Sequence, residues 1–236
     1  MTRKRVLLAA GAAILLAVGI NATTAVWPVT TIAEGRVGPT VPGVVVPPPT
    51  TLPTTPTTFA VIGDSISARA SRAGLDMSGG SWTTYASQGG AEFVAEGWAQ
   101  SGAKLLEMTT NAAPVTADVL VVLAGTNDLD GVLTIENRLG LVTEIVEKAG
   151  AERVILSAVP PLDRDPAAST AWNAALQKLA ADNAWRFVDP WQTMRTPEGT
   201  YAPSYTPDGI HPSVQAAAIA GEALRVAIVA IPSMEA

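Results

Sequence analysis

A chain of 236 residues with no cysteine and one histidine has few routes to covalent chemistry. Thiolate nucleophiles, disulfide frameworks and zinc–cysteine sites are excluded. So is any site built from several histidines, and any imidazole base must be His211. The serine worth asking about is Ser65, in "FAVIGDSISARA" (residues 59–70), where an apolar run meets Gly63-Asp64-Ser65. Such a serine ordinarily caps a helix. A serine hydroxyl becomes a nucleophile only when a base takes its proton. The base works best when a carboxylate fixes its tautomer and steadies the imidazolium. Asp208 lies three residues before His211, so one turn can bring its carboxylate to the ring. The oxyanion formed on attack needs prearranged donors. The amide of Ser65, a backbone N–H of the 97–102 loop and the side chain of Asn127 can supply them.

These residues must be carried to one place by the elements between them. Short apolar strands are expected at Phe59–Ile62, Glu92–Ala95, Val119–Leu123, Arg153–Leu156 and Arg186–Val188. Helical spacing runs through Leu139, Val142, Ile145, Val146 and Ala149, and through Trp172, Ala175, Leu176, Leu179 and Ala180. An Ala-rich helix is expected at Val214–Ile231. Strands alternating with helices imply an α/β protein with a parallel sheet covered on both faces. Ligands of such sheets sit beyond the carboxyl ends of the strands. Gly63-Asp64-Ser65, "EGWAQSGAK" (96–104), "AGTND" (124–128) and "PDGIHP" (207–212) all fall after strands or before the last helix, so they converge on one rim.

Gly63-Asp64-Ser65, Gly125-Thr126-Asn127-Asp128 and Asp208-Gly209-Ile210-His211, in that order, resemble the signature blocks of the GDSL/SGNH hydrolases. The resemblance spans Phe59 to the C-terminus. It implies a flavodoxin-like α/β/α sandwich of three layers with a five-stranded parallel sheet. It also implies Ser65 as nucleophile, Asp208 and His211 as its partners, and Asn127 as an oxyanion donor beside the amide of Ser65. One departure concerns the second block, where the family carries a glycine donor shortly before a Ser-Gly pair. Ser101-Gly102 is that pair, and counting back gives Ala99, with Gly97 as the alternative. Trp98, beside this loop, is a candidate wall for the acyl or sugar pocket, and Thr196–Thr206 a candidate rim. The other tryptophans read as core.

The chemistry calls for no metal and no organic cofactor. Thr126–Glu136 matches a calcium loop at only three positions, Asp128, Asp130 and Gly131, and Glu136 comes one residue early. Net charge is −6, and residues 59–236 carry −9 of it against +3 before them. An acidic folded part argues against nucleic acid as partner.

The N-terminus has Arg3, Lys4 and Arg5 and then 15 uncharged residues, Val6–Ile20. This is the pattern of a cleaved signal peptide or of a signal anchor, within residues 1–36. Residues 37–58 hold seven prolines and seven threonines among 22 residues, which forms an extended spacer of up to roughly 70 Å. The expected protein is thus an exported serine esterase, membrane-tethered or secreted, whose hydrolase domain is residues 59–236. Its expected substrate is an O-acyl (acetyl) group on a cell-wall or surface glycan. The alternatives are a lysophospholipase- or thioesterase-like lipid ester hydrolase, and a surface module that binds glycan without cleaving it.

Overall fold

A computed structural model of the protein describes residues 56–68 and 80–231, the side chain of residue 95 excepted. The expected signal segment and all of the spacer up to residue 55 lie outside the described residues.

Five strands form one parallel sheet: β1 (Thr57–Gly63), β2 (Ala91–Ala99), β3 (Val119–Leu123), β4 (Val154–Ser157) and β5 (Arg186–Val188). Their order is β2-β1-β3-β4-β5. Every residue of β3 is buried, as are all but Thr58 in β1. Such central parallel strands, covered on both faces, are apolar throughout rather than alternating. Strand β1 begins two residues earlier than its apolar run. The amide and hydroxyl of Thr58 both donate to Asp118 Oδ2, at 2.8 and 2.7 Å, which ties the end of the spacer to the approach to β3.

Strand β2 departs most from expectation, running to Ala99 instead of stopping at Ala95. Its register against β1 jumps, since Phe59 pairs with Phe93 but Val61 pairs with Gly97. A bulge of this kind destroys the two-residue period by which a strand is recognised. Gly97 makes it possible. Its φ is +83°, and a Cβ there would stand 2.2 Å from the Val61 carbonyl oxygen.

The long helices are α4 (Ile135–Ala149), α5 (Pro166–Asp182) and α6 (Val214–Val229). Each has a side-chain cap, from Thr134, Asp165 and Ser213 respectively. Among the described residues, three short helices complete the set: α1 (Ser65–Ala68), α2 (Trp82–Ala86) and α3 (Leu105–Asn111). Two apolar clusters fill the layers. One joins Ile62, Leu105, Met108, Leu120, Ile145 and Trp172 under α3, α4 and α5. The other joins Phe59, Trp82, Val121, Ile155, Trp191 and Leu224 under α2 and α6. The sheet is therefore the middle of three layers, an α/β/α sandwich. The chain leaves β1 toward β2 on one side and returns to β3 on the other, so the connections diverge between β1 and β3. A crevice opens at the carboxyl ends of strands that part this way.

Candidate active site

The crevice is lined by the turns that follow β1 and β2, by Gly80 ahead of α2 and by the loop leading into α6. At the end of β1, Asp64 takes the cap position of α1. Its Oδ1 accepts the Ile66 amide at 2.9 Å, and its carbonyl accepts the Ala68 amide at 2.8 Å. Asp64, not Ser65, thus does the capping. The Ser65 hydroxyl is left to face the cleft, and the Ser65 amide heads the helix, where the helical ladder does not use it.

Ser65 Oγ lies 3.0 Å from His211 Nε2. On the far side of the ring, His211 Nδ1 lies 2.8 Å from Asp208 Oδ2. The neutral tautomer that satisfies both contacts carries its proton on Nδ1 and accepts the serine proton at Nε2. Asp208 also accepts, through Oδ1, the amides of Ile210 and His211 at 3.0 and 2.7 Å. Partial burial pushes the Asp208 carboxyl up, but the hydrogen bonds from the His211 ring and the two amides outweigh it. The result is a pKa of about 2, below the ordinary 3.8.

Three further residues hold this turn: Asp163, which the sequence does not single out, and Tyr201 and Thr206, which it offers only as rim. Thr206 donates its hydroxyl to the His211 carbonyl at 2.7 Å and accepts the Gly209 amide at 2.9 Å. The Asp163 amide donates to the Gly209 carbonyl, and Asp163 Oδ1 accepts the Tyr201 amide at 2.7 Å. The Tyr201 hydroxyl in turn donates to the Ile210 carbonyl at 3.3 Å. Burial, then the charges of Asp163 and Asp208, push the Tyr201 phenol far up, so it stays a neutral donor.

After β3, Asn127 sits in a 3₁₀ turn, Thr126–Asp128. Its side-chain amide donates one hydrogen to the Ala103 carbonyl at 2.9 Å. Its second hydrogen has no protein acceptor among the described residues, and Asn127 is not one of the residues that line the cleft. Asp128 accepts the Leu105 amide at 3.1 Å and so seats the start of α3. Asp130 pairs with Lys104. Among the described residues, no group of three or more acids and histidines could hold a metal ion.

The other predicted residues are placed differently. Gln100 donates its amide to the Gly63 carbonyl at 3.3 Å. In an extended strand the preceding amide points the opposite way, so the Ala99 N–H faces off the edge of the sheet. Gly97 is committed to the bulge. The turn Gln100–Ala103 that follows is better placed, because Ser101 lines the cleft with Ser65 and His211. Within it Gly102 has φ +78° and open space where a Cβ would be. Trp98 does not line the cleft. It packs, partly buried, against the cluster beneath α3 and α4. Nor does Thr196–Thr206 supply the rim, since the lining residues are Ile66, Gly80, Pro207 and Pro212 besides Ser65, Ser101 and His211. The cleft measures about 420 Å³.

The sequence matches the GDSL-like lipase/acylhydrolase family over residues 61–219. No curated protein is similar to it in sequence. Among solved structures, it resembles a GDSL-like lipase from Bacteroides thetaiotaomicron, with 21% identity and a TM-score of 0.58 over 73% of this chain and 87% of that one. It also resembles the lipase/acylhydrolase of Enterococcus faecalis, at 17% identity and TM-score 0.59, over 76% and 99% of the two chains. A third is a catalytic mutant of an acetylxylan esterase from Geobacillus stearothermophilus, at 14% identity and TM-score 0.58, over 77% and 98%. At such identities the likeness concerns the fold alone. The family match covers most of the chain, and the chain belongs to the GDSL-like lipase/acylhydrolase family, as an ester hydrolase.

Proposed function

We propose that Ser65 attacks the ester carbonyl while His211 Nε2 takes its proton. The continuous chain of contacts from Ser65 Oγ through the His211 ring to Asp208, at 3.0 and 2.8 Å, carries this reading. The oxyanion is received by the Ser65 amide, by the free hydrogen of the Asn127 side chain, and by an amide of the Gln100–Ala103 turn. We assign that last role to Gly102 in place of Ala99. His211 then protonates the leaving alcohol, and an acyl-Ser65 ester remains. Water deprotonated by the same nitrogen attacks it, and Ser65 recovers its proton as the acid departs. Asp208 keeps its negative charge throughout and stabilises the imidazolium.

The substrate we propose is a short O-acyl group, acetyl foremost, on a glycan outside the cell. A cleft of about 420 Å³ bounded by Ile66, two prolines and Ser101 suits a short acyl chain beside a polar alcohol. Export is inferred from the Arg3, Lys4, Arg5 cluster and the apolar run Val6–Ile20. Among the described residues no helix is long and apolar enough to cross a membrane. The test is hydrolysis of p-nitrophenyl acetate by the full chain, with Ser65→Ala as control, followed by a panel of longer acyl esters. Equal rates for the two proteins would refute the acyl-enzyme mechanism. Activity that rises with acyl length beyond butyrate would point to a lipid ester instead.

A further inference from the structure

Two buried polar atoms beside the nucleophile lack a well-formed hydrogen bond: Asp64 Oδ2 and Thr126 Oγ1. Asp64 is fully buried and Thr126 is 3% exposed. Leaving such an atom unpaired is costly, so each calls for an explanation. The two belong together. Gly63 at the end of β1 pairs with Leu123 at the end of β3, which sets the turn of Asp64 beside the turn of Thr126, and neither atom has a closed hydrogen bond; the Thr126 hydroxyl nonetheless favours the ionised Asp64 carboxyl. Each residue also directly precedes a working group, Asp64 before Ser65 and Thr126 before Asn127. Asp64 already fixes the first turn of α1 through Oδ1 and its carbonyl. Thr126 opens the turn whose Asn127 grips the Ala103 carbonyl.

We propose that Asp64 and Thr126 form a positioning clasp, in which the Thr126 hydroxyl donates to Asp64 Oδ2 as the tetrahedral intermediate forms. The clasp draws the turn carrying the nucleophile and the turn carrying Asn127 into register. Hydrogen bonds at active sites often stand long in the free enzyme and tighten in the reacting complex. A contact made only then raises kcat and leaves KM nearly unchanged. The proposal rests on the acyl-enzyme reading of Ser65, Asn127 and His211. Neither Asp64 nor Thr126 lines the cleft.

The experiment compares wild type, Thr126→Val, Thr126→Ser, Asp64→Asn and the double variant Asp64→Asn/Thr126→Val as full chains. Steady-state kcat and KM for p-nitrophenyl acetate are read alongside melting temperature. Thr126→Val, which keeps shape and removes the hydroxyl, is expected to lower kcat about tenfold with KM within about twofold, and Thr126→Ser to restore most of the loss. The double variant is expected to be about as slow as Thr126→Val alone, because once the Thr126 hydroxyl is gone the group at position 64 has no clasp left to weaken. Wild-type kcat in Thr126→Val, a loss confined to KM, or multiplied losses in the double variant would overturn the proposal. If Asp64→Asn fails to fold, the Thr126→Val and Thr126→Ser pair decides alone. Equal turnover by wild type and Ser65→Ala marks failure of the acyl-enzyme reading, a result separate from the Thr126 comparison.

Discussion

Two carboxyl groups flank the Ser65–His211 contact, and their surroundings drive them apart. Asp208 is held at about 2 because its hydrogen bonds to the ring and to two amides outweigh partial burial. Asp64 is pushed up to about 6 by complete burial, against the pull of the Ile66 amide, the Thr126 hydroxyl and His211, with Asp128 adding to the rise. Carboxyls separated in this way take different roles. In the proposed mechanism Asp208 stays charged to orient and stabilise the imidazolium. Removing Ser65 or His211 is therefore expected to lower kcat by roughly 10⁴ or more. Asp208→Asn is expected to cost less, roughly 10² to 10⁴, because its retained oxygen can still accept the Ile210 and His211 amides. Circular dichroism should show all three variants folded. A smaller loss in Ser65→Ala than in Asp208→Asn would reverse the assigned roles.

The strand–turn junctions decide which amides reach the oxyanion. Gly97 and Gly102, only five residues apart, both have positive φ, but they meet different surroundings. A Cβ at residue 97 strikes the Val61 carbonyl, whereas one at residue 102 meets nothing within 4 Å. Gly97→Ala is therefore expected to destabilise the protein by at least about 2 kcal/mol, from left-handed strain plus backbone displacement. That should appear as a melting temperature lower by at least roughly 5 °C. Gly102→Ala carries only the strain of about 1–2 kcal/mol. Its expected signature is kinetic, a roughly tenfold fall in kcat as the donor turn shifts, with KM little changed. Equal kinetics for Gly102→Ala and wild type would remove Gly102 from the oxyanion site. The bulge also explains why the apolar pattern predicts a β2 that is too short. Counting along the chain cannot register two extra residues in one strand of a pair.

At the scale of the whole molecule, the buried Asp64 sets stability against function. Its folded pKa stands above its ordinary value of 3.8, so its contribution to stability is fully present below about pH 4 and is lost as pH rises through about 6. Two pKa units correspond to a loss on the order of 3 kcal/mol by neutral pH. Asp64→Asn is expected to raise the urea-unfolding free energy at pH 7–8 and to flatten its change between pH 4 and 6, while lowering kcat. Asp208 works in the opposite sense. Its contribution is present above about pH 4 and is lost as pH falls toward about 2. Unchanged unfolding profiles in Asp64→Asn at pH 4, 6 and 8 would show that the carboxyl is not held in a desolvating site. Much of this protein was legible in the chain itself. The parallel α/β architecture followed from apolar runs alternating with helical spacing, and β3 and β5 stand where those runs ended. The contact chain Ser65–His211–Asp208 was legible because a single histidine leaves one base to choose and Asp208 sits one turn away. Helices α1, α2 and α3, of four, five and seven residues, are too short for a 3.6-residue period to emerge. Trp98 next to a polar loop reads as a pocket wall until the cluster beneath α3 and α4 claims it. Composition and local order determine which residues can react. Whether an amide points into the cleft, a tryptophan lines it, or a carboxyl loses its water depends on contacts between segments distant in sequence, and only the tertiary structure supplies those.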